Sequence, residues 1–333
     1  MTELAVVDWA VEHSLMGVPP DELVDALTRK GVPQDDAAQL ISRLDRLPGY
    51  KAAHKIAQQF LKLQSVTTLH QQLLEQDTLH NYVPRVSGLT REKFFTDVWL
   101  RNRPVIITDF LANSPAYKNW NFDHLDERFG DDTVEVQTKR DSDPDYEYNS
   151  KQHKENMLMR EFVHRIKTAG ESNDFYMTCN NQSTSTSRLG ELLDELTGLP
   201  DYVTGVNSKT RACNFWIGPK GTHTPLHHDV CVIIHAHFHG RKRWQLVSPF
   251  YTSRVYNSRH VFSDVDIRNI DYDRFPAMRG VPVLDVVVEA GEALFVPLTW
   301  WHAVTSLSPC ISMTFTGFPF PNHWNYHYPV RRS

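Results

Sequence analysis

Apolar residues recur at helical spacing through the first 78 positions. Leu4, Val7, Val11 and Leu15 fall on one face of a helix over Leu4–Leu15. Gly17-Val18-Pro19-Pro20 interrupts it, and Leu23, Val24, Ala26 and Leu27 resume the period after Asp21. A second break, Gly31-Val32-Pro33, precedes Gln34–Leu44, which carries Ala37, Leu40, Ile41 and Leu44. Beyond Leu47-Pro48-Gly49, a longer helix over Tyr50–Gln76 runs through Ile56, Phe60 and Leu63. The expectation is a small N-terminal helical bundle, residues 1–78, serving dimerisation or the docking of a protein substrate. The two Gly-Val-Pro blocks are too few to make a repeat array.

The period changes after Tyr82-Val83-Pro84-Arg85. Helices are expected over Thr90–Leu100, over Trp120–Phe129 with Gly130 as C-cap, over Glu155–Thr168 and over Leu189–Leu196. Between them, Arg103–Thr108 reads as a short buried strand and Thr133–Thr138 as a half-exposed one. Lys139–His153 reads as an acidic loop and Phe175–Thr178 as a further strand.

From Val206 the chain is almost wholly β-like. Ala212–Ile217, Val230–His237, Arg243–Val247, Val283–Val288, Ala293–Val296, His302–Leu307 and Ile311–Phe315 are separated by Gly- and Pro-bearing turns. Many short strands with regular turn signals predict a mostly β domain over residues 79–333, a sandwich or a barrel wide enough for one small ligand.

Composition adds limits. The chain has 333 residues, 41% hydrophobic and 23% charged, enough for one large domain and a small one. A net charge of −5 gives no overall argument for a nucleic acid or an anionic membrane as partner. The short basic clusters Arg241–Arg243 and Arg331-Arg332 read as solvated faces. Four cysteines without a CxxC pair fit free thiols in a reducing compartment. With no basic, apolar leader at Met1–Glu12 and no long apolar run, the expected location is cytoplasmic.

The chemistry concentrates in Thr222–Lys242 and Phe295–His302. His227 and Asp229 are two apart, so on a strand both side chains leave the same face while His228 turns away. An HxD pair is weak by itself in a chain with 17 histidines. His302 closes the aromatic stretch Phe295–Trp301 on an expected facing strand and offers a third ligand. Two imidazoles and one carboxylate form the facial triad of non-haem Fe(II) oxygenases, which leaves coordination positions open. Lys242, one strand and a turn after Asp229, would pair with the far carboxylate of a chelating dicarboxylate cosubstrate. Thr224 or Tyr176 would complete its hydrogen bonding. Arg241 and Arg243 alternate onto the opposite face. His235, His237 and His239 also share one face of a straight strand, either as a separate zinc site or as cavity lining. Trp216, Trp244, Trp300 and Trp301 are expected to build and seal the cavity.

The blocks Thr224–Asp229, Gly240–Trp244 and Val296–His302 resemble the JmjC, or cupin-like, class of Fe(II)/2-oxoglutarate oxygenases, and among them the asparaginyl hydroxylases similar to factor-inhibiting HIF. Phe94-Phe95, Arg103–Ile107 and Trp120–Gly130 look like the entry region of that family, so the resemblance covers roughly residues 85–320. It implies a double-stranded β-helix flanked by helices, with Fe(II) on His227, Asp229 and His302. It also implies 2-oxoglutarate held through Lys242, Thr224 and Tyr176, and O2 as co-reactant. Two positions depart from the asparaginyl hydroxylase pattern: Ile233 and Thr316 stand where it has asparagine. The implied activity is hydroxylation of a protein or peptide side chain with release of succinate and CO2. The same chemistry on N-methyl-lysine, RNA or a small molecule is the alternative, as is a non-catalytic cupin-like binding module. A homodimer through the N-terminal helices or the aromatic tail Pro319–Tyr328 is one way to cover apolar surface.

Overall fold

The computed structural model describes residues 2–78, 80–179, 188–206 and 212–324. Arg331-Arg332 and residues 325–328 of the aromatic tail lie outside them. The chain separates into two compact units, Met1–Gln76 and Asp77–Ser333.

The first unit holds α1 (Glu3–Leu15), α2 (Pro20–Arg29), α3 (Gln34–Arg43) and α4 (Tyr50–Glu75). Thr2 caps α1 by accepting the Ala5 N–H, and Pro20 sits at the first position of α2, where its missing N–H costs nothing. Ala10, Leu27, Ala37 and Leu44 form a small buried core, with Trp9, Val24 and Ile41 packed around it.

The second unit is built on two facing sheets. Its strands are β1 (Arg85–Val86), β2 (Val105–Ile107), β3 (Thr133–Gln137), β4 (Lys154–Leu158), β5 (Cys213–Gly218), β6 (His223–His228), β7 (Ile233–His239), β8 (Lys242–Val247), β9 (Leu284–Val288), β10 (Ala293–Val296), β11 (Trp301–Ser306) and β12 (Cys310–Phe315). One sheet has the order β1-β2-β10-β7-β12-β5, the other β6-β11-β8-β9. Every pairing within them is antiparallel except β1 with β2. Ile106, Ile233, Trp244, Leu246, Leu294 and Val304 belong to one buried cluster, the apolar layer between the sheets. The outer face of the larger sheet is covered by helix residues such as Phe94, Leu125, Phe129 and Phe162, and that of the smaller by Tyr251, Val265 and Phe275. This is the mostly β jelly roll with flanking helices that the resemblance implies, within the sandwich-or-barrel class that the turn spacing predicts.

Several local expectations change. Lys154–Leu158 is not helical but pairs antiparallel with β3, and only Met159–Thr168 forms a helix. Thr90–Leu100 starts as the α-turn Arg91–Lys93 and widens into a π-turn over Phe94–Trp99. The helix after Trp120 begins at Phe122, where Asn121 accepts the His124 N–H, and Gly130 ends it in right-handed rather than left-handed geometry. Leu189–Leu196 is a 3-10 helix over Arg188–Glu195, and Phe175–Thr178 contributes single bridges to Gln137 and Ile217 rather than a full strand. The strand expected over Val230–His237 runs instead from Ile233 to His239. Gly240 then turns the chain at φ 74°, and a Cβ there would fall 2.1 Å from the Pro309 carbonyl oxygen, so no other residue fits. No helix among the described residues is long and apolar enough to cross a membrane.

Candidate metal centre

The smaller sheet brings the three candidate ligands together. His227 near the end of β6 is the register partner of His302 on β11, so the two strands are neighbours in one sheet rather than facing strands. Their ring centroids are 4.2 Å apart, and His302 Nε2 stands 3.7 Å from Asp229 Oδ2. One ligand atom from each of the three residues lies within 4.8 Å of the others. His302 is buried and Asp229 is partly open.

Both imidazoles are oriented by backbone. His227 Nδ1 lies 2.8 Å from the Pro225 carbonyl oxygen, and His302 Nδ1 lies 2.9 Å from that of Trp300. Each carbonyl can only accept, so Nδ1 carries the proton and Nε2 keeps its lone pair. This is how metal-bound imidazoles are normally held. Burial first, and then the neighbouring His227, lower the His302 pKa to about 4, which keeps the ring neutral. The donor set fits a divalent ion with open positions, Fe(II) among them.

A cavity of about 370 Å³ opens at these residues. At one end is Lys242, 1% exposed, on β8 between the sheets. Its Nζ donates to Tyr176 Oη at 2.9 Å and to Ser312 Oγ at 2.8 Å. Among the described residues it has no ion pair. Burial pulls its pKa down to about 8, so an anion entering beside it relieves an unfavourable charge. Arg241 and Arg243 point outward, and Arg243 pairs with Asp285. Thr224 also lines the cavity. Plain alternation would turn it away from His227, three residues on. The β6–β11 register shifts between His302 and Val304, and this bulge at Pro225-Leu226 returns both side chains to the cavity.

The histidine row divides. His235 borders the cavity and shares Thr314 Oγ1 with Trp216 Nε1 (3.1 and 2.7 Å). His235 and His237 both lie near Trp244. A register shift between Ile311 and Ser312 puts His239 on the other face, edge-on to Phe122. The three therefore share no face and form no metal cluster. Trp216 and Trp244 line the cavity. Trp300 lies in the apolar layer between the sheets and Trp301 on the outer face, so those two do not.

Sequence reasoning missed Ser312 and Thr314, and three further contributors. Arg140, in the stretch read as an acidic loop, is fully buried and donates to the His223 carbonyl at 2.8 Å, which anchors the start of β6. Glu147, 3.0 Å from Arg140, borders the cavity. Asn214 lines it too, two residues before Trp216, and strand parity with that tryptophan would have found it.

A family model described as a cupin-like domain matches residues 91–316, roughly two thirds of the chain. The chain belongs to the cupin-like domain family. Among proteins similar to it, the Arabidopsis thaliana protein "Lysine-specific demethylase JMJ30" is 33% identical over 239 residues, 70% of this chain and 54% of that one. "Lysine-specific demethylase 8" of Xenopus tropicalis is 25% identical over 240 residues, 70% of this chain and 52% of that one. "HSPB1-associated protein 1" of Homo sapiens is 40% identical over 102 residues, 28% of this chain and 21% of that one. The chain spans about half the length of the first and second of these. JmjC oxygenases use Fe(II), 2-oxoglutarate and O2, and the cupin-like domain of this chain has a donor set and a buried cation suited to the first two.

Proposed function

We propose that the protein is an Fe(II)- and 2-oxoglutarate-dependent dioxygenase that hydroxylates a side chain of a protein or peptide. The observation that carries this is the joint presence of His227, Asp229 and His302 at one point and, in the same cavity, of the buried Lys242, which has no ion pair among the described residues. A binding module without catalysis has no need of both. Bound Fe(II), with 2-oxoglutarate and O2, supplies the oxidant that puts one oxygen atom into a C–H bond and the other into succinate, with loss of CO2.

The chain's own residues do the rest. His227, Asp229 and His302 hold the ion from one side. Lys242 pairs with the distal carboxylate of 2-oxoglutarate, with the hydroxyls of Tyr176 and Thr224 beside it. Ile233, Trp216, Trp244 and Val304 keep water away from the reacting end. The Thr316 hydroxyl is turned to the Ala212 carbonyl oxygen at 3.2 Å, and Ile233 has no polar group. Neither position therefore offers the contacts of the asparagines found in asparaginyl hydroxylases.

A second reading, oxidation of an N-methyl group on lysine, is favoured by two relatives that are named lysine-specific demethylases. For either reading we propose a cytoplasmic location, in keeping with four cysteines outside any disulfide. The test is succinate formation from 2-oxoglutarate by purified protein with Fe(II), with and without candidate peptides. A peptide that gains one oxygen atom supports hydroxylation, and released formaldehyde supports demethylation. Absence of both turnover and bound iron would sink the enzyme reading.

A further inference from the structure

The 26-residue helix α4 carries large apolar side chains that its own unit leaves uncovered. Ile56, Phe60, Leu63, Val66, Leu69 and Leu73 are between 47% and 67% exposed. Their spacing is four, three, three, three and four residues, which reads the same in either direction. The pattern is centred on the Gln64–Ser65 bond. A two-fold axis through that point would place Ile56 against Leu73 of a second copy, Phe60 against Leu69, and Leu63 against Val66.

We propose that α4 is a self-complementary interface through which two copies of this chain pair antiparallel. An isologous interface requires one patch to match itself after a half-turn, and this stripe does. Its mean spacing is about 3.4 residues, below the 3.6 of a straight helix, so the stripe winds left-handed as in a coiled-coil seam. Charge favours the same orientation. Lys51, His54 and Lys55 lie in the first part of α4 and Glu75 at its end, so antiparallel packing places Glu75 beside His54 and Lys55 of the other copy. A parallel pair would set the lysines against one another. At about 100 Å² of exposed apolar surface apiece, six side chains on each of two helices offer about 1,200 Å², the lower edge of the range for stable interfaces. The inference is independent of the catalytic reading.

The test is the mass of the full chain by sedimentation equilibrium over roughly 1–100 µM, a range that detects micromolar association. Twice the chain's 38.5 kDa is expected at the upper end. Leu63→Glu and Val66→Lys should each give a monomer with unchanged helical circular dichroism. An equimolar mixture of the two should recover the dimer, because residue 63 of one copy faces residue 66 of the other. Ile56→Cys mixed with Leu73→Cys should form a disulfide between the two variants, while Ile56→Cys alone should not link to itself. A wild-type chain that stays monomeric throughout would overturn the proposal, including the case where another part of the chain or another protein covers α4. So would a dimer indifferent to Leu63→Glu, or self-linking by Ile56→Cys.

Discussion

His302 lies directly across the β6–β11 pair from His227, and the two rings are turned to the same point by hydrogen bonds to the carbonyls of residues 300 and 225. The protein thus sets both Nε2 lone pairs in place before any ion arrives. Replacing either histidine by alanine removes one of three donors, and Asp229→Ala removes the only anionic one. Each substitution should abolish stoichiometric iron binding and lower turnover by at least a hundredfold, with the fold retained. His228, next to His227 on β6 but turned to the outer face against Trp301, should tolerate replacement by glutamine with iron content unchanged. Metal analysis of the purified variants separates the two groups. Equal iron loss in His228→Gln would contradict the assignment.

At the other end of the cavity, the expected readout is cosubstrate affinity. Lys242→Met leaves a carboxylate of 2-oxoglutarate without its charge partner, at a cost of about 2–5 kcal/mol. The KM for 2-oxoglutarate should rise at least about thirtyfold, with a smaller change in kcat. Lys242→Arg keeps the cation with a different shape and should fall between. Tyr176→Phe removes one hydroxyl, worth about 0.5–1.5 kcal/mol, and should raise KM by roughly two- to tenfold. A Lys242→Met enzyme with unaltered KM would place the cosubstrate elsewhere.

The three candidate ligands that the fold brings together were legible in part from short spacing: His227 lies near the end of β6 with Asp229 just beyond it, whereas His302 comes from a distant strand. The turn spacing made a β sandwich or barrel legible, and the resemblance narrowed it to the jelly roll. What parity could not show were its own interruptions. The bulge at Pro225-Leu226 brings Thr224 to the side of His227, and the shift near Ile311 takes His239 from the side of His235. A bulge depends on the partner strand, which a single segment does not specify. Lys154–Leu158 has little intrinsic strand character and becomes a strand because β3 offers an edge to pair with. Arg140 looked like one more charge in a polar loop. Its burial follows from the His223 carbonyl it must satisfy, a contact between residues 83 positions apart.

Acid should destabilise the second unit through buried neutral imidazoles. His223 Nδ1 lies 2.9 Å from Thr305 Oγ1, and burial first, then the Arg268 charge, lower its pKa to about 3. The unfolded chain takes up this proton near pH 6.5, and the folded chain does not until about 3. Stability should therefore fall as the pH drops between those values, by up to about 1.4 kcal/mol per pH unit for this group. His223→Gln should flatten the decline. Urea midpoints of both proteins at pH 7.5 and 5 measure it, and parallel declines would show that His223 contributes nothing.

Lys242 should act in the same direction at high pH, in protein free of metal and cosubstrate. Its pKa is about 8 in the folded chain against 10.5 in the unfolded one, and burial is the cause. Below pH 8 both states carry the charge, and the full penalty, roughly 3 kcal/mol, weighs on the folded one. Between pH 8 and 10.5 the unfolded chain holds a proton that the folded chain has released, so this contribution to stability rises with pH. Lys242→Met is uncharged throughout. At pH 7 it should be more stable than wild type by up to that penalty, less whatever the bonds to Tyr176 and Ser312 contribute. The gap should close as the pH approaches 10.5, and adding 2-oxoglutarate with a redox-inert divalent metal at pH 7 should narrow it by stabilising only the wild type. Urea midpoints for the pair at pH 7, 8.5 and 10 read this directly. A gap that stays constant with pH would mean that Lys242 is not desolvated as its position between the sheets requires.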